Sequence, residues 1–247
     1  MRPGKITYMS IAAMAVAGGI AQTLSDAELK QEVVQQLSPR CGGQKLRDEP
    51  RREELIDRLE LGGDTNRLAH VLAELAQTND AWYAKMAMWQ LEKYATSEQL
   101  PFLYSCATNP AVGNMAVKAV FHAEGVTSNS VAVLERYLTF EPATNENMYD
   151  KSVVCREALS HLKTSMPTSP MRTLMIDAVR RFASGVSLGN SMVDAALLDT
   201  DSTYRYSRRR LADMRAAYPR CFNEYQTNYV ANAISELVAY PESDLVD

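Results

Sequence analysis

The chain has 247 residues, 46% of them hydrophobic and 23% charged, with a formal charge of −4. That balance belongs to a folded globular protein, and it excludes disordered and collagen-like chains. The near-neutral charge exerts no whole-molecule pull toward nucleic acid or anionic membrane. Eleven glycines are few, and no convincing run alternates valine or isoleucine with polar residues, so the pattern points away from sheet.

Residues 1–21 have the layout of a secretory signal. Arg2 and Lys5 precede "ITYMSIAAMAVAGGIA", which carries no charge. Small residues at Ala15-Val16-Ala17 and Gly19-Ile20-Ala21 offer two cleavage sites. The apolar run of about 16 residues is shorter than the roughly 20 a spanning helix needs. Cleavage at residue 21 would take the net charge from −4 to −6. No cysteine stands beside the cleavage region, which argues against a lipid anchor. The expectation is export to a bacterial periplasm or beyond, with no membrane span left in the mature chain.

Residues 22–50 read as a short helix over 25–37, capped by Ser25 or Asp26, and then a linker rich in Pro, Gly and mixed charge. From residue 51 onward helices follow one another. Over 64–77, Leu68, Val71, Leu72 and Leu75 fall on one helical face. A helix over 80–95 starts at Asn79 or Asp80. Over 97–108, Leu100, Leu103, Tyr104 and Ala107 repeat the spacing, with Pro101 tolerable only in the first turn. The stretch 109–124 is predicted to open on Asn109 as cap and Pro110 at the first helical position, and to end at Gly125. Further helices are predicted at 128–140, 145–163, 170–184, 190–199, 202–217 and 221–239. Pro219 and Pro241 stand just past two helix ends.

The predicted starts pair as 64/80, 97/109, 128/145, 169/190 and 202/221, so the first members lie 31 to 41 residues apart. Helix–turn–helix units at such a period are the mark of a helical repeat array. The tetratricopeptide and ankyrin patterns are absent. Stretches such as "NPAVGNMAVKAVFHA" and "DSTYRYSRRRLADMRAAY" resemble the second helices of HEAT repeats, over roughly residues 60–240. The resemblance implies an all-α fold, a right-handed α-α superhelix of about five hairpins whose inner helices present a binding surface. It carries over no catalytic residue and no cofactor.

Within 109–124, Val112, Met115, Ala116, Ala119, Val120 and Ala123 form an apolar face that Val117 and Phe121 widen. Asn114, Lys118 and His122 make one narrow polar stripe. Such a helix is expected to be enclosed on nearly all sides, with His122 on its single wet edge. Trp82, Lys85, Trp89 and Lys93 lie close to one face of the preceding helix. Two large rings beside two cations suit recognition of a peptide, sugar or aromatic group. The commoner arrangement would pack both rings between repeats, with the lysine stems running past them. Together, Trp82, Lys85, Trp89, Lys93, Asn114, Lys118 and His122 are the candidate surface for a protein or peptide partner.

A second candidate is "YRYSRRRLADMR". Arg205, Arg208 and Arg209 could grip phosphate or carboxylate, and a HEAT-like array could offer them to a polyanion or nucleic acid, as one family of DNA glycosylases does. The negative net charge and the export signal weigh against nucleic acid. Asp194, Asp199 and Asp201 are expected to pair with these arginines. The four cysteines, Cys41, Cys106, Cys155 and Cys221, show no metal spacing and permit three disulfide pairings or buried free thiols. No motif for a nucleophilic serine, a nucleotide loop or a zinc hydrolase is present. Glu135, Glu157 and Asp177 lie mid-helix with nothing in the sequence to pair them. The expectation is a non-enzymatic scaffold without metal or cofactor.

Overall fold

Short polar side chains cap several of the helix starts, because the first amides of a helix have no partner inside it. In a computed structural model, which describes residues 24–37, 65–141, 144, 147–165, 167–184, 191–241 and 245–246, eleven helices form. They are α1 (Asp26–Leu37), α2 (Thr65–Ala76), α3 (Ala81–Tyr94), α4 (Leu100–Cys106), α5 (Gly113–Glu124), α6 (Ser128–Phe140), α7 (Met148–Thr164), α8 (Ser169–Phe182), α9 (Ser191–Thr200), α10 (Arg208–Ala217) and α11 (Glu224–Ala239). The protein is all-helical, with no strand among the described residues beyond one isolated bridge between Ser207 and Val246. The expected signal (1–21), the linker (38–50) and Cys41 lie outside the described residues.

The chain divides into two units, Met1–Val71 and Leu72–Asp247. In the first, Arg67 of α2 donates from Nη2 to Asp26 Oδ1 (2.6 Å) and to the Leu24 carbonyl (2.5 Å). It holds the start of α1 while Leu29, Val33, Leu68 and Val71 are buried.

In the second unit, Asp80 caps α3 by accepting from the Trp82 and Tyr83 amides. Thr127 caps α6 through a reciprocal exchange with Ser130, and Asn223 caps α11 through the Gln226 amide. Pro170 sits in the first turn of α8, where a missing N–H costs nothing. α5 packs on α3, α4, α6 and α7. Helices two apart in the chain also pair: α3 with α5, α5 with α7, α7 with α9, and α6 with α8. Four neighbours explain why α5 is apolar nearly all round. Its Gly113, Ala116, Val117, Ala119, Val120 and Phe121 are buried, whereas Met115 and Ala123, expected on the main apolar face, are only half-buried.

Two predicted starts fail for the same reason. Asn109 and Pro110 open a turn and not a helix. Asn109 Oδ1 accepts from the Ala111 amide at 2.9 Å, and its carbonyl accepts from the Gly113 amide at 2.7 Å. The asparagine side chain thus offers the backbone an alternative to helix. The helix then starts at Gly113, where a Cβ would lie 2.7 Å from the Ala107 carbonyl oxygen. Only glycine lets the two backbones approach that closely. The single helix expected over 202–217 is likewise broken. Asp201 Oδ1 takes the Thr203 amide and hydroxyl, residues 202–204 form one 3-10 turn, and Ser207 restarts the chain as the cap of α10.

Cys155 is fully enclosed, and Cys106 and Cys221 are half-buried. All three are free thiols. Burial pushes each of them above the ordinary thiol range, so none has the thiolate character that a reactive cysteine needs. Cys221 was expected to begin a helix, but it follows a 3-10 turn, three residues ahead of α11.

Candidate functional site

The neighbouring helices α3, α5 and α7 each contribute ionisable side chains to one seam. On α3 the buried phase is Ala87, Met88, Gln90 and Leu91, which turns Trp82, Lys85, Trp89 and Lys93 outward. Trp82 and Trp89 are 41% and 43% exposed. They are therefore not fully enclosed, unlike the commoner arrangement anticipated for them. Lys85 and Lys93 are exposed beside them.

At the edge of that face, Glu92 meets the polar stripe of α5. Lys118 Nζ lies 3.3 Å from Glu92 Oε2 and 3.7 Å from Glu157 Oε2 of α7. One cation thus joins carboxylates from the helices on either side of it. Burial raises the Glu92 carboxyl above its ordinary range. Lys118 opposes that rise, while Glu157 adds to it. Asn114 is half-buried and Lys118 half-buried, while His122 is exposed as expected.

His161, one turn beyond Glu157 on α7, had no visible partner in the sequence. It stacks on Phe121 of α5, with centroids 5.6 Å apart and planes 24° apart. Burial lowers its basicity and the proximity of His122 lowers it further, while Glu157 acts in the opposite direction. The seam therefore holds Glu92 from α3, Lys118 and His122 from α5, and Glu157 and His161 from α7. The spacing of Glu157 and His161, one helical turn apart, was the available signal; their closeness to Lys118 and His122 needed the packing of α5 on α7.

The arginine cluster resolves into two kinds of residue. Arg205, Arg208 and Arg209 are exposed. Arg210 is buried. Its Nη2 donates to Asp194 Oδ2 at 2.8 Å and its Nε to Oδ1 at 3.3 Å, and the Tyr229 hydroxyl donates to the same Oδ2 at 2.7 Å. A parallel arrangement joins Arg180, Asp213 and Tyr204: Arg180 Nε and the Tyr204 hydroxyl both donate to Asp213 Oδ2 at 2.9 Å. Burial raises the Tyr204 and Tyr229 phenols, with the carboxylates they bond adding to the rise.

Asp194 therefore does not neutralise the exposed arginines, contrary to expectation. Asp199 bonds Lys163, and Asp201 is taken by Thr203. The missed residue had a signal in the sequence: Arg210, Met214 and Ala217 share one helical phase, and all three are buried.

Among the described residues no group of three or more His, Cys, Asp or Glu side chains could hold a metal ion. No described helix is long and apolar enough to cross a membrane. No family model matches the chain, and no curated protein or solved structure matches it.

Proposed function

We propose that this protein is a non-enzymatic scaffold of HEAT-like hairpins, exported from a bacterial cell, which binds a protein or peptide along the face made by α3, α5 and α7. The observation that carries the reading is the exposure of Trp82 and Trp89 beside Lys85 and Lys93. A large ring left over two-fifths in water forgoes burial that it would regain against a partner, and tryptophan is enriched among residues that dominate binding energy. The pairing of helices two apart in the chain supports the repeat reading, since stacked hairpins bury their apolar faces against their neighbours. In that arrangement α3, α5 and α7 are the inner layer, on the concave side. The basic stretch, the uncharged apolar run and the small residues within 1–21 support export.

The partner fitted by this surface has an apolar group to cover the indoles and acceptors to meet Lys85, Lys93 and His122. Lys118 serves a different end: its charge is shared between Glu92 and Glu157, so it sets the seam's geometry and leaves contact to the residues around it.

The test places a photo-crosslinking amino acid at Trp89 or Lys85 in the native host. A defined adduct from these positions, absent from Leu174 of α8 and lost when Trp82 is changed to Ala, is the expected result. Adducts that are the same from all positions, or none from α3, would sink the reading. The intact mass of the mature protein tests export separately: a chain short by 17 or 21 residues is expected, and a full-length chain would remove export alone.

A further inference from the structure

Each side of the α5–α7 contact places a histidine beside the Lys118 ion group. The His161 ring lies on Phe121, with centroids 5.6 Å apart. His122 follows Phe121 on α5 and is close enough to make His161 harder to protonate. Lys118 Nζ stands 3.3 Å from Glu92 Oε2 and 3.7 Å from Glu157 Oε2. While both imidazoles are neutral, one ammonium against two carboxylates gives the seam a charge of −1.

Histidine is the side chain whose charge ordinarily changes between about pH 5 and pH 8. Glu92 is a third group that gains its proton in acid, since burial raises its carboxyl above the ordinary range while Lys118 and Lys93 oppose the rise. Each proton adds one positive charge, so any two of the three reverse the sign of the seam. Around it, the packed helices carry ionic groups that meet one another. On α6, Glu135 pairs with Arg181 of α8, and Arg136 donates to the Tyr104 carbonyl. On α4, the Tyr104 hydroxyl donates to Glu124 of α5. On α8, Arg172 donates to the Thr200 carbonyl, and Arg180 pairs with Asp177 and Asp213. On α9, Asp199 pairs with Lys163 of α7, and Asp194 with Arg210. The charges that act on His161 are those of His122 and Glu157.

The reversal takes place beside two cations. Lys85 and Lys93 are exposed on α3, on the face that carries Trp82 and Trp89. Near neutrality the seam offsets part of their charge, and in acid it adds to it. Aspartate and glutamate stay ionised down to about pH 4, so an acidic peptide is the occupant whose charge this surface complements more strongly as pH falls.

We propose that the α3–α5–α7 face captures an acidic peptide in mildly acid surroundings and releases it near neutrality, through reversal of charge at Glu92, Lys118, His122, Glu157 and His161. This rests on the reading of that face as a binding surface, and it adds the charge of the partner and the condition that governs capture.

Trp82 and Trp89 are the two tryptophans of the chain, so their fluorescence reports on this face alone. Quenching of the full-length protein by iodide, caesium and acrylamide is compared at about pH 7.5 and about pH 5, at an ionic strength of about 0.1 M, where a charge acts over about 10 Å. Two added charges at that range should raise iodide quenching and lower caesium quenching by about 1.5-fold each, with neutral acrylamide unchanged. His122→Gln combined with His161→Gln should remove most of the change. An iodide-to-caesium ratio that stays level overturns the proposal. So does a change that the double variant keeps in full, or an acrylamide rise equal to that with iodide, which would mark opening of the helices. If the double variant loses helicity, His122→Gln alone decides, because that residue is exposed: a smaller change supports the proposal and an unaltered one overturns it. The photo-crosslinker at Trp89 separates this proposal from the reading beneath it. A greater adduct yield at the lower pH is expected. A yield that is level or falls in acid overturns the proposal and leaves the binding face standing, whereas no adduct at either pH sinks both.

Discussion

The α3–α5–α7 seam and the α9–α10–α11 contact both place ionic groups between helices, and they use them in opposite ways. At Asp194 the carboxylate is fully enclosed, and both its oxygens receive donors, two from Arg210 and one from Tyr229, at 2.7 to 3.3 Å. A buried charge is tolerable only when its hydrogen bonds are satisfied in this way. The result is a joint with one geometry. At Lys118 a single ammonium is divided between two half-buried carboxylates at 3.3 and 3.7 Å, distances at the weak end for charged pairs. Next to it stand exposed indoles and lysines. The first arrangement defines how helices sit together. The second holds three helices while leaving polar and aromatic groups at the surface.

The largest effect should come from breaking the enclosed joint. Asp194→Ala leaves Arg210 as an uncompensated buried cation, and it should cost about 3–5 kcal/mol in urea unfolding. A loss below about 1 kcal/mol would erase the distinction between the two regions. At the seam, Lys118→Met should cost about 1–3 kcal/mol, because Glu92 and Glu157 then face each other without a shared cation. Glu92→Gln should cost little at neutral pH or even stabilise the fold.

The sign of that difference follows from the upward shift of Glu92. A group more easily protonated when folded contributes stability that is complete below its unfolded value, about 4.3, and that is lost as pH rises through its folded value. At neutral pH the Glu92 carboxylate is thus a cost that glutamine removes. An E92Q variant that unfolds as readily as K118M would show that the pair itself, and not the shared lysine, carries the seam.

His161 should give a smaller effect with the opposite slope. Its basicity is lowered by burial first and by His122 second, so its contribution to stability is complete above about pH 6.5 and falls away as pH drops through its folded value. His161→Gln should flatten the thermal midpoint between pH 7 and pH 5. His122→Gln should reduce the slope without removing it. The smallest effect belongs to Trp89→Ala, which should change stability by no more than about 1 kcal/mol, since the residue is 43% exposed. A large loss there would turn the indole into a structural element and merge the two regions into one kind.

Much of this protein was legible in its sequence, because helix identity is a local property. Apolar spacing and start-and-stop residues are read within one or two turns, so the helical faces at 64–77 and 128–140 emerge within a residue or so of their observed bounds. The enclosure of α5 could be inferred because a helix apolar on nearly every side has to be covered on nearly every side. Local reasoning failed where two local solutions compete. Asn109 and Asp201 could cap a helix or close a turn, and in the fold both side chains close turns.

The site was legible only in fragments. The outward face of α3 followed from its own periodicity, but Glu92, Lys118 and Glu157 are 26 and 39 positions apart in the sequence, and only the packing of α3 on α5 and of α5 on α7 makes them one group. The same holds for the arginines. Sequence proximity suggested that Asp194 would neutralise the exposed ones, whereas helix phase and burial gave it to Arg210. Composition and periodicity determine which side chains a helix turns inward. Which charges meet is decided by tertiary contact, because electrostatic and hydrogen-bond energies depend on ångström distances and on exclusion of water, and neither is written in the spacing of residues.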